Sequence, residues 1–345
     1  MPRICLVAAF TVLALAAAAC NPAAAQSNDA AMEDRRCFRA FGNGDYASAV
    51  THCSRALNYD SDDEWAYVER CSAYGALGNS GAAVADCTHA ILLNPNDENA
   101  YANRCHTYGG MGNYGAALAD CNQAITLNGR NARAFVARCA VFNDMGSYAA
   151  AVTDCTQAIT LDPKFENAFV NRAIAYDDQH AYDQAIADYN TAITLTPNDA
   201  IAYYGRGNAY KHKGDYGRAI ADYGAAIKLN PKNPDIYNGR CYATAIVGQL
   251  AAALADCNTA LQLRPNDADT LDSRGFTYLK LGQFDNAIAD YSAALKLKAN
   301  LATSLYGRGV AELRRGNSAA GNADIAAARA LQPDIAQTMA GLGVS

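Results

Sequence analysis

Rings, small residues and polar residues recur along this chain at helical spacing. Tyr67 and Tyr74, Tyr101 and Tyr108, and Tyr203 and Tyr210 bracket a small residue or a cysteine, a pattern that marks one buried helix face. A glycine then follows in eight of nine such segments (Gly44, Gly78, Gly112, Gly146, Gly214, Gly248, Gly282 and Gly316), where a left-handed residue suits a helix C-terminus. His180 stands there in the fifth segment. A second apolar-periodic stretch comes next, with alanine in one column without exception: Ala56, Ala90, Ala124, Ala158, Ala192, Ala226, Ala260, Ala294 and Ala328. Small side chains there let two helices approach closely. Leucine and, in most segments, proline close the unit, and Asn or Asp is placed to cap the next helix.

The period is 34 residues, with Pro95, Pro163, Pro197, Pro231, Pro265 and Pro333 separated by it or its multiples. Nine units begin at Ala30, Glu64, Glu98, Ala132, Glu166, Ala200, Pro234, Ala268 and Ala302, so the array covers 30–335 and leaves 336–345 as a tail. The pattern of Tyr67, Leu77-Gly78, Ala83, Ala90 and Pro95 resembles the tetratricopeptide repeat, and the resemblance covers nearly all of the chain from Ala30 onward. It implies an all-α, right-handed superhelical solenoid of nine helix-turn-helix repeats. The first helices then line a concave groove, where most such repeats bind peptides or proteins. The ends depart from the pattern: the first unit lacks the opening aromatic, and Leu305, Glu312 and Gly321 weaken the ninth.

With 51% hydrophobic and 18% charged residues the chain is too apolar to be disordered. Its formal net charge of −6 leaves no basic face for nucleic acid. Arg3, the apolar run Ile4–Ala19 and Ala23-Ala24-Ala25 read as a signal peptide (1–25) cleaved before Gln26. The mature protein is therefore expected in the periplasm or outside the cell, as in exported bacterial members of the family. The alternative is lipidation at Cys20, although Ala17 stands where a lipoprotein signal usually has a leucine-like residue. That form would be an anchored structural component of envelope assembly. No other stretch approaches the roughly 20 apolar residues a membrane span needs.

Ten of the twelve cysteines fall in two columns of the repeat. Cys37 and Cys53, Cys71 and Cys87, Cys105 and Cys121, Cys139 and Cys155, and Cys241 and Cys257 are each 16 residues apart. Where cysteine is absent the columns hold Ala173 with Tyr189, Gly207 with Tyr223, Gly275 with Tyr291, and Gly309 with Ile325. Small therefore opposes large, as expected of side chains that touch. In an oxidising compartment the five pairs are expected to form disulfides, each worth on the order of 3 kcal/mol in the chain-entropy model. Reduced core thiols and metal ligation are the alternatives, and two thiolates per hairpin fall short of the four ligands of a structural zinc. Replacing Cys71 and Cys87 together by glycine and tyrosine is expected to cost less stability than Cys71→Ser alone.

Arginine holds one first-helix column throughout (Arg36, Arg70, Arg104, Arg138, Arg172, Arg206, Arg240, Arg274, Arg308), and aspartate one second-helix column in eight units, from Asp86 to Asp324. Beside a buried column, such charges read as inter-hairpin ties rather than a ligand ladder. By the register of the resemblance, the positions that vary between units face the groove. In the first half these are Trp65, Val68, Ser72, Asn99, His106, Arg133, Asn143, Asp144 and Asn167. Asp177, Asp178, Tyr204, Asn208, Lys211, His212, Asn238, Tyr242, Asp272, Phe276 and Lys280 continue the face. Tyrosine and tryptophan suit protein recognition because they join apolar area to a polar tip. No HExxH, GxxxxGK[ST] or GxSxG occurs, and no two histidines share a metal-binding i, i+4 spacing. Neither catalysis nor a cofactor is expected.

Overall fold

The structure, a computed structural model, describes residues 22–344. Residues 1–21 of the expected signal segment, Cys20 among them, lie outside the described residues. Among the described residues nineteen helices follow one another, eighteen of them in successive pairs. The first four pairs are α1 (Pro22–Gly42) and α2 (Tyr46–Tyr59), α3 (Glu64–Ala76) and α4 (Ser80–Leu93), α5 (Glu98–Gly110) and α6 (Tyr114–Leu127), and α7 (Ala132–Asp144) and α8 (Tyr148–Leu161). Then come α9 (Glu166–Asp178) and α10 (Tyr182–Leu195), α11 (Ala200–His212) and α12 (Tyr216–Leu229), and α13 (Pro234–Ile246) and α14 (Leu250–Leu263). The series ends with α15 (Ala268–Lys280) and α16 (Phe284–Leu297), α17 (Ala302–Arg314) and α18 (Ser318–Leu331), and the short α19 (Ile335–Gly341). No strand occurs among the described residues, and the fold is an all-α repeat solenoid. The chain divides into two compact units, the first through Ala175 and the second from Tyr176.

Local chemistry sets the helix ends. Asp63 accepts from the backbone N–H of Ala66 at 3.0 Å and Asp97 from that of Asn99 at 2.7 Å, and Asn131, Asp199 and Asn233 cap their helices alike. At the other end the turn glycines adopt φ between +71° and +88°. The residue after each reaches back to close the last turn, as when Asn79 N–H donates to the Tyr74 carbonyl at 2.9 Å. His180 takes the same left-handed turn at φ +60° with a side chain attached.

Packing rests on the small columns. Every alanine from Ala56 to Ala328 in the invariant second-helix column is fully buried. The segment expected as a tail is instead a cap. Ile335, Met339 and Val344 are buried against Tyr306 and Val310, covering the outer side of the ninth repeat. Lys280 secures the cap by donating to the Leu342 carbonyl at 3.2 Å.

Candidate partner-binding face

The two cysteine columns meet across each hairpin. In the structure Cys37 is joined to Cys53, Cys71 to Cys87, Cys105 to Cys121, Cys139 to Cys155 and Cys241 to Cys257. Their Cα atoms lie 5.3–5.6 Å apart, within the reach of a disulfide, and every one of the ten residues is fully buried. The tyrosines that replace the second cysteine do more than fill the same space. A Cβ added at Gly207 would stand 2.9 Å from the Tyr223 ring, and one at Gly239, on the next repeat, would also stand 2.9 Å from it. Tyr291 lies between Gly275 (3.0 Å) and Gly307 (2.3 Å), and Tyr189 reaches to 2.3 Å of a Cβ at Gly205. Each ring thus crosses to the following first helix and requires glycine at its sixth position. After a cysteine pair that same position carries Glu69, Asn103, Ala137, Asn171 or Ser273. Three columns vary together, not two. The expected exchange of Cys71 and Cys87 for glycine and tyrosine therefore needs correction, because the new ring would run into Asn103. After the other second-column cysteines, Cys53, Cys121, Cys155 and Cys257, a side chain likewise stands at Glu69, Ala137, Asn171 and Ser273, although the Cys257 sulfur itself reaches the Thr270 carbonyl of the next first helix at 3.9 Å.

The arginine and aspartate columns are architecture. Arg70 holds Asp86 with two hydrogen bonds of 2.7 and 2.8 Å and reaches back to Ser54 Oγ on the preceding hairpin at 2.9 Å. Arg104, Arg138, Arg206, Arg240, Arg274 and Arg308 hold Asp120, Asp154, Asp222, Asp256, Asp290 and Asp324 in the same two-toothed grip. The guanidinium of Arg70 also lies between the rings of Tyr67 and Tyr74, 5.4 and 6.0 Å from their centroids. In the first repeat His52 occupies the aspartate column, and Glu33 binds both Arg36 and His52 instead.

In the first unit the variable positions gather around a cavity of about 390 Å³ lined by Ser72, His106, Arg133 and Asn167, with Asn103 and Asn171 from the sixth-position column. Asn103 donates to Ser72 Oγ at 2.8 Å and accepts from Arg133 at 3.1 Å. Asn171 donates to the Asn167 carbonyl at 2.8 Å, and Asn143 donates to the Asn171 carbonyl at 2.8 Å while its Oδ1 stays buried with no donor. Asn99 accepts from Asn131 at 3.3 Å. Desolvation and then the charge of Arg133 hold His106 below the ordinary histidine range. Trp65 stands apart from this cavity, beside Phe38.

In the second unit Lys211, His212, Asn238, Tyr242 and Asp272 line a cavity of about 400 Å³. His212 Nδ1 lies 3.0 Å from Asp177, whereas the Lys211 ammonium makes no hydrogen bond or ion pair among the described residues, and burial draws it down. Tyr223 donates to Asn208 at 2.8 Å, and its ring centroid lies 6.0 Å from that of Tyr204. Burial pushes Tyr242 up to about 12 and Asp272 up to about 6, although Ser304 and Thr303 donate to Asp272 and pull it the other way. Two positions assigned to the groove are core. Phe276 is 3% exposed and Val68 is 7% exposed, because their side chains fill gaps against neighbouring repeats that an amino-acid pattern does not show.

Profiles of the tetratricopeptide repeat match residues 98–131, and of the TPR repeat residues 178–214, 207–244 and 275–316. A chain of the APC/C hetero-tetramer Cut9–Hcn1 superposes with a TM-score of 0.66 at 18% identity, covering 82% of this chain. This chain spans only 57% of that one. A tetratricopeptide repeat protein of Parabacteroides merdae aligns at 0.52 with 20% identity, over 72% of this chain and 99% of its own. The pilF protein of Pseudomonas aeruginosa gives 0.52 at 17% identity, over 61% and 96%. At such identities the likeness is one of fold, and no curated protein matches in sequence. Paired helices in a 34-residue register, together with these matches, make the chain a member of the tetratricopeptide repeat family.

Proposed function

We propose that this chain is an exported, non-enzymatic scaffold that holds a partner peptide or domain on the inner face of its first helices, in an oxidising compartment such as the periplasm where its five cysteine pairs stay closed. One observation carries the reading. The constant Arg, Asp, Ala and Cys columns are consumed in packing, while variable polar and aromatic positions collect around a cavity in each unit. A site-specific photo-crosslinker tests it, placed at His106 on the inner face or at Leu92, 74% exposed on a second helix. Capture of one partner from His106 and not from Leu92 is the expected outcome; equal capture from both sinks the inner-face assignment. The mass of the mature N-terminus separates an unmodified Gln26 from the anchored alternative with a diacylated Cys20.

A further inference from the structure

We infer that the notch opened by Gly224, between α12 and α13, binds a small carboxylic acid carried on an aromatic or branched apolar group. The inference goes beyond the scaffold reading above and does not depend on it, since the notch is lined by second-helix residues and constant columns rather than by the variable positions of the inner face. It starts from an exception in the arginine column. In seven repeats the Nη1 arm of the arginine donates to a side-chain oxygen sixteen residues before it, from Arg70 with Ser54 at 2.9 Å to Arg308 with Ser292 at 3.2 Å. Arg240 would meet residue 224 there, and residue 224 is glycine. Its Nε and Nη2 hold Asp256 at 2.7 and 2.6 Å, while Nη1 has no acceptor among the described residues. The Arg240 side chain is accordingly 29% exposed, against 16–25% for Arg70, Arg104, Arg138, Arg206, Arg274 and Arg308.

Packing does not require this glycine. A Cβ at Gly224 would meet only Arg240 Nη1, at an ordinary 3.7 Å, whereas Gly207 and Gly239 lie against the Tyr223 ring. In the interior of α12 glycine weakens the helix, and what it provides there is space. The space is an open cavity of about 390 Å³ with the free guanidinium arm at its edge. Pro197, Tyr203, Ile220 and Leu229 give it apolar walls, and Lys228, one turn on from Gly224, adds a second cation with no ion pair among the described residues. Mostly apolar walls with a few placed polar groups are the make-up of a small-molecule site. The charges select the ligand. No acid lines the notch, and the aspartates of this part of the ladder, Asp222 and Asp256, are held by Arg206 and Arg240. One positive charge is therefore left over, which disfavours an amine and favours an anion. The apolar walls favour a carboxylate on an apolar body over a strongly hydrated phosphate.

The probe is phenylacetate, followed by line broadening and saturation transfer of its ring protons in NMR spectra recorded with the full chain. It is expected to bind about tenfold more tightly than phenylacetamide or phenethylamine, which keep the ring and remove or reverse the charge. Gly224→Asn gives Arg240 the oxygen that Asn190 and Asn258 give to Arg206 and Arg274. This variant is expected to bind phenylacetate about tenfold more weakly while melting about 2 °C higher than the natural chain. Lys228→Gln is expected to weaken binding about threefold. Equal binding of the amide or the amine overturns the inference. So does undiminished binding by Gly224→Asn, which places the acid elsewhere on the chain. No binding of phenylacetate leaves the notch to water and overturns it as well, and a Gly224→Asn chain that melts lower than the natural one removes the premise that Arg240 lacks a partner. Phenyl phosphate bound as tightly as phenylacetate overturns the class of ligand assigned. Capture of a partner at His106 is measured separately, so failure here leaves the scaffold reading standing.

Discussion

The first unit joins the two helices of each of its first four repeats through a cysteine pair, whereas the second unit has one such pair and at Tyr189, Tyr223 and Tyr291 sets a tyrosine ring against glycine. Both devices fill the same space between two helices, but their reach differs. A disulfide touches the next first helix, as Cys257 does at the Thr270 carbonyl, but leaves the sixth position of that helix its side chain. A tyrosine ring continues to the next first helix and removes the side chain from its sixth position, as at Gly205, Gly239 and Gly307. The choice made in the core therefore decides what the inner face displays. Cysteine leaves room for Asn103 and Asn171 in the first cavity and for Ser273 in the second. The stapled repeats gain a polar inner strip and become dependent on an oxidising surrounding, while the tyrosine repeats have the opposite balance.

Reduction is the strongest way to break this comparison. With about 3 kcal/mol per bridge, a reductant is expected to lower the melting temperature of the first unit by more than about 10 °C and of the second by much less. Limited proteolysis should then cut first before Ala175. Equal loss in both units would mean that the bridges are not what separates them.

Exchanging the two devices sharpens it. Cys71→Gly with Cys87→Tyr is expected to lose about 2 kcal/mol through overpacking against Asn103, and adding Asn103→Gly should restore at least half of that in a denaturant melt. The reciprocal change, Gly307→Ala beneath Tyr291, should lose about 2 kcal/mol, since its Cβ would stand 2.3 Å from the ring. If the triple variant melts no higher than the double, the sixth position is not the ring's partner.

A smaller effect is expected from the ties that the two units share. Arg138→Lys removes the paired hydrogen bonds to Asp154 and should destabilise by about 1 kcal/mol, as should Arg274→Lys opposite Asp290 in the other unit. Urea midpoints that shift in only one unit would show the ladder to be uneven.

The smallest effect concerns pH. The hydrogen bond between Glu64 and Asp97, together with burial, pushes Glu64 up to about 8 from an ordinary 4.5. The folded state thus holds this proton more tightly than the unfolded one. Its stabilisation is complete below about pH 4.5 and is lost as pH rises through 8. Glu64→Gln should flatten that fall in the first unit by about 2 °C in melting temperature; an unchanged slope between pH 5 and 8 refutes the shared proton.

Much of this was legible in the chain. The register, the paired helices, the turn glycines and the contact between the two cysteine columns follow from residues that repeat, because a packing requirement met nine times leaves the same residue type nine times. The glycines at 205, 239 and 307 were visible too, and their alternation with Glu69, Asn103 and Asn171 carried the signal of a third partner. It was missed because the ring and its glycine belong to different repeats. Phe276 and Val68 were misplaced for a related reason, since a residue that varies between repeats can face either solvent or an irregular gap in the core. Sequence by itself thus determined what each hairpin needs internally. Only the tertiary structure decided what one hairpin imposes on the next, because that depends on how far a side chain reaches, which spacing along a chain does not encode.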